Sequence, residues 1–260
     1  MKLGNKVAIV TGGASGIGKG ICLAFAKEGA KVCVVDVDAD RGAKVVDHLK
    51  TAGAAACFVR ADVGEEPDVV RYVADTVATF GRVDIMVNNA AVIQQAKVVD
   101  LDVAEWDRIL KNNLRSVFLG SKYAARQMIK QGGGGRIINI SSIHAELSEP
   151  QAAAYTASKG GINAFTRTLA TELAPHKITA NVLQPGATFT ELTVPMYTPA
   201  VKKALFERVP LKAIANVEDI ACGVVFMASD EAWYMTGSTM TIDGGYVMDG
   251  SLPGAAYWTE

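Results

Sequence analysis

The feature that most constrains the fold of this chain is an alternation of short apolar runs with longer helical patterns. The β-branched runs lie at residues 7–10, 32–35, 57–59, 83–87, 136–140 and 178–183. Helical patterns lie at 17–28, 68–80, 106–130 and 155–174, and another at 217–228 precedes a seventh short run at 239–242. Alternating β and α units predict an α/β fold, in which a parallel sheet is covered by helices on both faces.

The domain organisation follows from the same pattern. No Pro/Ser-rich linker or shift in composition divides the 260 residues, so we expect one domain over 1–260. The irregular segment 186–215 contains Pro195, Pro199 and Pro210 and follows a strand end, where open α/β sheets bind ligands. We predict that it is a substrate-binding lobe; an ordinary surface connection is the alternative.

Charge and composition exclude several classes of protein. The chain has 26 Lys and Arg against 27 Asp and Glu, which leaves no basic field for nucleic acid or anionic lipid. Its apolar runs are too short to span a membrane, and the first 13 residues do not have the pattern of a signal peptide. The four cysteines show neither paired nor metal-ligand spacing, so we predict reduced packing residues in a cytoplasmic protein without a metal site.

A glycine-rich turn follows the first apolar run. Gly12, Gly16 and Gly18 lie between a strand and a helix, where backbone N–H groups can approach a pyrophosphate. No Lys-Ser/Thr pair follows them, which disfavours a nucleotide-triphosphate loop. We therefore predict a dinucleotide-binding turn.

The end of the second predicted strand supplies an acidic residue. Asp36 lies 18 residues beyond Gly18, where a carboxylate can bind the hydroxyls of the adenosine ribose. The same charge would repel a 2′-phosphate, and neither Ser15 nor Val37 is basic. NAD is therefore favoured over NADP. A turn residue at a strand end is the alternative interpretation of Asp36.

The next signal is Tyr155 followed four residues later by Lys159, a spacing that places both on one face of a helix. A neighbouring ammonium and a nicotinamide cation both favour the phenolate, so we expect the pKa of Tyr155 to be lowered. Taken alone, such a pair is more often a surface i,i+4 contact.

An ordered series of motifs extends these signals: Thr11-Gly12-xxx-Gly16-x-Gly18, Asp62-Val63, Asn88-Asn89-Ala90-Ala91, Asn113, Ser142, Tyr155-xxx-Lys159, Pro185-Gly186 and Asp243-Gly244-Gly245. With this series the chain resembles the short-chain dehydrogenase/reductase family over nearly its whole length. The resemblance implies a Rossmann-type, doubly wound sheet of seven parallel strands, and hydride transfer between a nicotinamide and an alcohol or carbonyl. It also implies a homotetramer built on the helices at 106–130 and 155–174.

The resemblance assigns four catalytic residues. Tyr155 would be the general acid/base, and Lys159 would bind the nicotinamide ribose and hold the phenolate. Ser142 would hydrogen-bond the substrate oxygen, and Asn113 would support a water-linked proton relay. Ser141 and Asn112 match these last two positions less well.

The resemblance also assigns cofactor contacts along the chain. The glycine turn includes Ser15 and Ile17, Asp62 and Val63 would meet the adenine, and Asn89 and Ala90 would line the cleft. At the lobe, Pro185 and Gly186 would lie beneath the nicotinamide, the backbone of Thr188 would contact it, and Thr190 would reach the carboxamide. Ala91 stands where the family usually has Gly, which is tolerable if its φ is negative.

Within the family, residues 142–146 and Gly186-Ala187 resemble glucose 1-dehydrogenases and related sugar or polyol dehydrogenases. The Glu that glucose dehydrogenases carry is replaced here by Ile93, which argues against glucose itself. The polar candidates for substrate contacts, besides Ser142 and Tyr155, are Gln94, His144, Glu149, Gln151 and Gln184. His144 could instead face solvent.

We therefore predict NAD-dependent oxidation of a sugar or polyol hydroxyl, at the anomeric carbon to give a lactone. The lobe carries a net charge of +2, which would suit an acidic or sulfonated sugar, although a solvated helix face is the plainer interpretation.

Two alternatives stay open. A 3-oxoacyl thioester reductase of the same family would favour NADPH and a basic residue near Ser15. A non-catalytic dinucleotide sensor would be expected to lack Tyr155 or Lys159. The tail at 249–260, with Tyr257 and Trp258, is predicted to dock on a neighbouring subunit.

Overall fold

The computed structural model describes residues 1–93 and 95–249, and seven strands within them form one parallel sheet. The order across the sheet is β3-β2-β1-β4-β5-β6-β7. The strands are β1 (Val7–Thr11), β2 (Lys31–Asp36), β3 (Ala56–Arg60), β4 (Ile85–Asn88), β5 (Gly135–Ile140), β6 (Ile178–Pro185) and β7 (Thr239–Ile242). The predicted seven-stranded, doubly wound α/β fold is confirmed.

Residues 1–93 and 95–249 contain eight α-helices. They are α1 (Gly16–Lys27), α2 (Ala39–Thr51), α3 (Glu66–Phe80), α4 (Val103–Leu110), α5 (Ser116–Gln131), α6 (Ala153–Leu173), α7 (Pro199–Arg208) and α8 (Val217–Ala228). A short π-helical segment, Lys111–Arg115, joins α4 to α5. Helix α8 begins with a reciprocal capping box between Asn216 and Asp219, which satisfies two backbone donors at its first turn.

The hydrophobic core has two halves, one on each face of the sheet. Ile21 and Phe25 of α1 and Val224 of α8 pack on one face with Ala8 of β1. On the other face, Tyr72 of α3, Leu119 of α5 and Leu169 of α6 pack with Ile9, the next residue of β1. Because neighbouring residues of a strand point to opposite faces, a strand covered on both sides must be apolar throughout. This requirement explains the continuous apolar runs of the sequence.

Three segments differ from the pattern predicted from sequence. Helix α2 was not predicted, because only a narrow stripe of it is buried. The pattern at 106–130 is interrupted by the π-helical segment. The lobe 186–215 is not wholly irregular, since it contains α7; that helix buries no residue and so has no apolar periodicity to recognise.

The four cysteines are free thiols, but they are not all buried packing residues. Cys33 of β2 and Cys57 of β3 are register partners on neighbouring strands, and Cys222 is exposed. Strand register creates this proximity, so sequence spacing could not show it. Within residues 1–93 and 95–249, no helix is long and apolar enough to cross a membrane, and no cluster of His, Cys, Asp or Glu is arranged to hold a metal ion.

Candidate active site

The predicted site residues gather at the carboxyl ends of the strands. The strand order reverses between β1 and β4, because β1 continues to β2 on one side while β4 continues to β5 on the other. In open α/β sheets, ligands bind in the crevice at such a point. The glycine turn follows β1 and the Asn88-Asn89 pair ends β4, so both predicted motifs lie beside this crevice.

Thr11 links the two sides of the crevice by hydrogen bonds. Its Oγ1 accepts hydrogen bonds from the backbone N–H groups of Asn89 (2.9 Å) and Ala90 (3.2 Å) and donates to the Val87 carbonyl at 3.3 Å. The Asn89 amide in turn donates to the Thr11 carbonyl at 2.9 Å. These bonds fix the turn after β1 against the end of β4. Ala91 does not have a positive φ, so the methyl group that replaces the usual glycine is accommodated.

The turn has the shape that a pyrophosphate requires. A Cβ added at Gly18 would lie 2.1 Å from the Gly12 carbonyl oxygen, so only glycine fits there, and Gly12 itself has a φ of +62°. Ser15 is the N-cap of α1, and its hydroxyl makes no capping bond to the helix. No acidic residue lies in the first turn of α1, so the positive end of its dipole faces the crevice uncompensated. The turn therefore fits the phosphates of a dinucleotide.

Asp36 lies at the end of β2, next to this turn. Its Oδ2 accepts from the Ala14 N–H at 3.0 Å, and its Oδ1 accepts from the Asp38 N–H at 3.1 Å. A carboxylate oxygen can accept more than one hydrogen bond, so Asp36 can still accept hydrogen bonds from ribose hydroxyls. At the end of β3, Val63 is buried, and Asp62 Oδ1 accepts from the Gly64 N–H at 2.8 Å.

Tyr155 and Lys159 lie on the first two turns of α6. The Lys159 ammonium is buried and donates to the Ile140 carbonyl at 2.9 Å, and it lies 5.5 Å from the centroid of the Tyr155 ring. Ser142 follows the end of β5, and its Oγ accepts from the His144 N–H at 3.1 Å. Ser141, the weaker match, instead donates to the Lys159 carbonyl at 3.0 Å and so supports the helix. The structure thus brings Ser142, Tyr155 and Lys159 together.

The pKa values of the pair differ from the sequence expectation. Burial raises the pKa of Tyr155, an effect that its hydrogen bond with Ser142 opposes and the charge of Glu149 reinforces. The expected lowering of the Tyr155 pKa is therefore wrong for the protein alone, because desolvation of the phenolate outweighs the hydrogen bond with Ser142. Burial also lowers the pKa of Lys159 to about 8.

Asn113 lies in the π-helical segment and is fully buried. Its Oδ1 accepts from the Val92 N–H at 2.8 Å, and its Nδ2 donates to the Val92 carbonyl at 2.8 Å and to Ser158 Oγ at 3.3 Å. The Asn113 amide thus links the loop after β4 to α6 and to the π-helical segment that contains Asn113. The Asn112 side chain instead donates to the Arg108 carbonyl one turn earlier.

The beginning of the lobe follows β6, where Pro185 ends the strand. Thr188 is buried, and its N–H is bonded to the Tyr197 hydroxyl at 3.1 Å. Thr190 lies against the glycine turn, since a Cβ built on Gly16 would lie 3.4 Å from the Thr190 Cβ. The lobe therefore reaches over the phosphate-binding turn.

Only some of the predicted substrate residues lie near Ser142. His144 is near Ser142, its Nε2 is 3.6 Å from Glu149 Oε2, and its buried Nδ1 has no hydrogen-bond partner among the described residues. Gln184 does not join them: it is fully buried in β6 and accepts from Thr241 of β7. Gln151 is exposed, and Gln94 lies outside the described residues, as does the tail from 250 onwards.

One group of residues near the cofactor turn was not predicted. Arg41 of α2 forms an ion pair with Glu191 of the lobe, with 2.8 Å between Nη1 and Oε2. Lys19 of α1 and Lys44 of α2 line the same cavity. The sequence offered no motif for them, because they come together only where α1 and α2 pack side by side.

Comparison with known proteins is consistent with this geometry. Residues 12–247 match the family model described as enoyl-(acyl carrier protein) reductase. The chain is 37% identical to a cyclopentanol dehydrogenase of Comamonas sp. over 94% of this chain and 98% of that protein. It is 36% identical to a 3-oxoacyl-[acyl-carrier-protein] reductase of Staphylococcus epidermidis over 94% of this chain and the whole of that protein.

Two solved structures share the fold throughout. One is a short-chain type dehydrogenase/reductase from Mycobacterium marinum, with 35% identity and a TM-score of 0.89 over 94% of this chain and 96% of that one. The other, from Agrobacterium tumefaciens, is proposed to be a gluconate dehydrogenase; it has 32% identity and a TM-score of 0.92 over 96% of this chain and 98% of that one.

Proposed function

This chain belongs to the short-chain dehydrogenase/reductase family and is an oxidoreductase acting on CH–OH donors, and we propose that it oxidises a hydroxyl of a sugar or polyol with NAD. The observation that carries the proposal is the arrangement of Ser142, Tyr155 and Lys159 at the carboxyl edge of the sheet, beside the dinucleotide turn. An unreactive dinucleotide sensor would not need a buried ammonium against a partly buried phenol, because burying each group is costly.

In the proposed reaction, Ser142 Oγ binds the substrate hydroxyl and Tyr155 Oη takes its proton while hydride leaves the carbon. The nicotinamide, when bound, supplies the hydride acceptor. Lys159 stabilises the phenolate electrostatically, and its bond to the Ile140 carbonyl holds the ammonium in place. Asn113 positions the loop after β4, and because its amide is engaged by Val92 and Ser158, its main-chain carbonyl is the group we assign to the relay water.

For the cofactor, the proposed contacts are the ones expected from the sequence. The turn at Gly12, Ser15, Gly16, Ile17 and Gly18 would hold the pyrophosphate, and Asp36 the adenosine ribose. Asp62 and Val63 would meet the adenine, and Asn89 and Ala90 would line the cofactor cleft. Pro185, Gly186, Thr188 and Thr190 would lie at the nicotinamide. Asp36 favours NAD because its carboxylate would repel a 2′-phosphate.

The polyhydroxylated substrate is supported by the surroundings of Ser142. His144 Nδ1 is a buried polar atom without a partner among the described residues, and a buried polar atom gains from a hydrogen bond with a ligand. Glu149 lies within 3.6 Å of the same imidazole and is exposed at the edge of the loop. A sugar hydroxyl can both donate and accept, so it suits this pair.

The proposal is tested by following NADH absorbance with a panel of aldoses, acidic sugars, polyols, alicyclic alcohols and 3-oxoacyl thioesters. The expected result is NAD-dependent oxidation of a sugar or polyol, with a lactone as product when the anomeric carbon reacts. Turnover confined to acyl thioesters or alicyclic alcohols would overturn the sugar proposal and leave the oxidoreductase assignment standing. The His144→Ala variant should raise the KM for a sugar substrate more than it lowers kcat.

A second candidate substrate is an apolar secondary alcohol. Leu192, Val194 and Met196, in the lobe segment after Thr190, are exposed apolar side chains, and such a surface would suit an apolar ligand. The similarity to a cyclopentanol dehydrogenase points in the same direction. Cyclopentanol therefore belongs in the substrate panel as the direct competitor of the sugars.

We also propose the homotetramer that the family resemblance implies. A groove between α5 and α6 supports it; Phe118, Phe165 and Leu114 are among its lining residues, and Phe118 is exposed in the single chain. Burial of such a surface against a second copy would be favourable. Light scattering on the purified protein tests this, and a monomeric mass would overturn it.

A further inference from the structure

Two of the four cysteines lie side by side on neighbouring strands. Cys33 of β2 and Cys57 of β3 are register partners in a parallel pair, and both belong to the core half that contains Tyr72 of α3. Neighbouring strands lie about 4.8 Å apart, so the two Cα atoms are within the range of about 4.4 to 6.8 Å that a disulfide spans. Both thiols are free, so the pair is a candidate for reversible oxidation.

The two thiols differ in exposure and in acidity. Cys33 is fully buried, whereas Cys57 is partly exposed on β3, the edge strand of the sheet. A hydrogen bond with the Cys33 thiol lowers the pKa of Cys57. The charge of Lys50 lowers this pKa further, against the opposing effects of burial and of the Asp75 charge. The same hydrogen bond, together with burial, raises the pKa of Cys33, so Cys57 is the better nucleophile and Cys33 the protonated thiol beside it.

The edge position of β3 allows the two sulfur atoms to come together. The Cβ atoms of a disulfide lie about 3.8 Å apart, about 1 Å closer than the spacing of register partners in a parallel sheet. Within the described sheet β3 pairs with β2 alone, so a displacement of this size breaks no hydrogen bonds to another strand. A link formed in this way is strained, and a dithiol would therefore reduce it readily.

The ends of the same two strands carry the residue that we assign to the adenosine ribose. Asp36 is the last residue of β2, three residues beyond the cysteine of that strand, and its register partner is Arg60 of β3. The Asp36 carbonyl accepts from the Ala61 N–H at 3.0 Å, and the Val37 carbonyl accepts from Arg60 Nε at 3.2 Å. A shift of β3 towards β2 is therefore transmitted to the backbone of Asp36.

From this arrangement we propose that Cys33 and Cys57 form a reversible disulfide when hydrogen peroxide oxidises the protein, and that this disulfide weakens dinucleotide binding. The Cys57 thiolate attacks one peroxide oxygen, the O–O bond breaks and hydroxide leaves, so that Cys57 becomes a sulfenic acid. The Cys33 sulfur then attacks the Cys57 sulfur, and its proton leaves with the hydroxyl group as water. Two thiols are thus oxidised by two electrons, and one peroxide is reduced to two molecules of water. The effect on binding rests on the proposed NAD site, whereas the disulfide itself does not.

Mass spectrometry after peroxide treatment tests the disulfide. The experiment uses the Cys222→Ser background, because the exposed Cys222 could form disulfides between molecules. The expected product has two hydrogen atoms fewer, contains a peptide that links Cys33 to Cys57, and returns to free thiols with dithiothreitol. Cys57→Ser, at the partly exposed position, should abolish this product, and Cys33→Ala should leave Cys57 as a sulfenic acid that dimedone labels. Cys22→Ala, on the opposite face of the sheet, is the control and should keep the product.

Fluorescence titration with NAD measures the effect of the disulfide on binding. Oxidation should raise the Kd of the Cys222→Ser protein about two- to tenfold, the usual contribution of one hydrogen bond, and dithiothreitol should restore it. Peroxide should not change the Kd when Cys57→Ser is added to this background. Absence of the linked peptide overturns the disulfide, and an unchanged Kd of the linked protein overturns its effect on binding. If the reduced protein does not bind NAD at all, the proposed dinucleotide site is wrong, while the result for the disulfide stands.

Discussion

The Lys159 ammonium lies 5.5 Å from the centre of the Tyr155 ring and donates to the carbonyl of Ile140 at the end of β5. This relationship joins α6 to the sheet through the same side chain that is assigned to stabilise the phenolate. Lys159 is 2% exposed, so its charge acts on Tyr155 with little screening by solvent. The predictions for catalysis follow from this geometry.

Replacement of Tyr155 by Phe should remove the acid/base group and keep the ring. We expect kcat for alcohol oxidation to fall by about 10²- to 10⁴-fold, the usual contribution of a positioned acid/base, while the Kd for NAD changes little. Steady-state kinetics and fluorescence titration measure the two quantities. Tyr234→Phe, at a side chain that is 86% exposed, is the matched control. Its kcat and its Kd for NAD should both equal those of the wild type. Substantial turnover by Tyr155→Phe would refute the assigned role.

The pH profile should report the hydrogen bond between Ser142 and Tyr155. Burial raises the pKa of Tyr155, so the oxidation rate should rise with pH as the phenolate forms, and the rate of the reverse reduction should fall. The Ser142 hydrogen bond opposes that rise in pKa. Ser142→Ala should therefore move the rising limb of kcat/KM to higher pH in addition to lowering its maximum. If the rising limb of kcat/KM lies at the same pH in Ser142→Ala as in the wild type, Ser142 does not affect the pKa of Tyr155.

Lys159 should also make stability depend on pH. Its pKa falls from 10.5 to about 8 on folding, because burial disfavours the ammonium. Between these values the unfolded chain holds a proton that the folded chain has lost, so this contribution to the free energy of unfolding increases as pH rises from about 8 to 10.5. Over this pH range the Lys159 contribution to the free energy of unfolding increases by up to about 3 kcal/mol. Urea unfolding at several pH values, compared with Lys159→Met to cancel other groups, measures it; parallel curves for the two proteins would contradict the shift.

The sequence predicted the elements that have a strong local pattern and missed what depends on packing. Strands β1, β2 and β4 are buried and mostly apolar on both faces, so their continuous apolar runs could be recognised, and the glycine turn was recognisable because Gly18 has no space for a Cβ. The cavity of Lys19, Arg41 and Lys44 was not predicted, since residues on two helices face each other only after α1 and α2 pack on the sheet. The raised pKa of Tyr155 was missed for a related reason, because desolvation is a property of the folded surroundings.

A buried polar network beneath the site should be important for stability. Asn88 Nδ2 donates to Asn139 Oδ1 at 2.8 Å and to Ser121 Oγ at 3.1 Å, and Asn139 donates to Thr166 at 2.9 Å. Asn88→Ala would leave buried groups unpaired, so we expect the free energy of unfolding to fall by about 1–3 kcal/mol. Denaturant unfolding measures the loss. Asn112→Ala, which removes an exposed hydrogen bond, should cost less than half as much, and equal losses would contradict the importance of the network.

The glycine turn should tolerate no side chain at its closest approach. A Cβ at Gly18 would lie 2.1 Å from the Gly12 carbonyl oxygen and 2.5 Å from the Asn89 amide nitrogen, so Gly18→Ala must push the turn away from the end of β4. Strain of this kind costs about 1–3 kcal/mol, and displacement of the turn should weaken NAD binding about tenfold or more. Gly4→Ala is the control, because no atom lies within 4 Å of the added Cβ and φ is not positive there. Thermal unfolding and NAD titration of both variants test the argument: if Gly18→Ala binds NAD as tightly as Gly4→Ala, the turn does not hold the pyrophosphate.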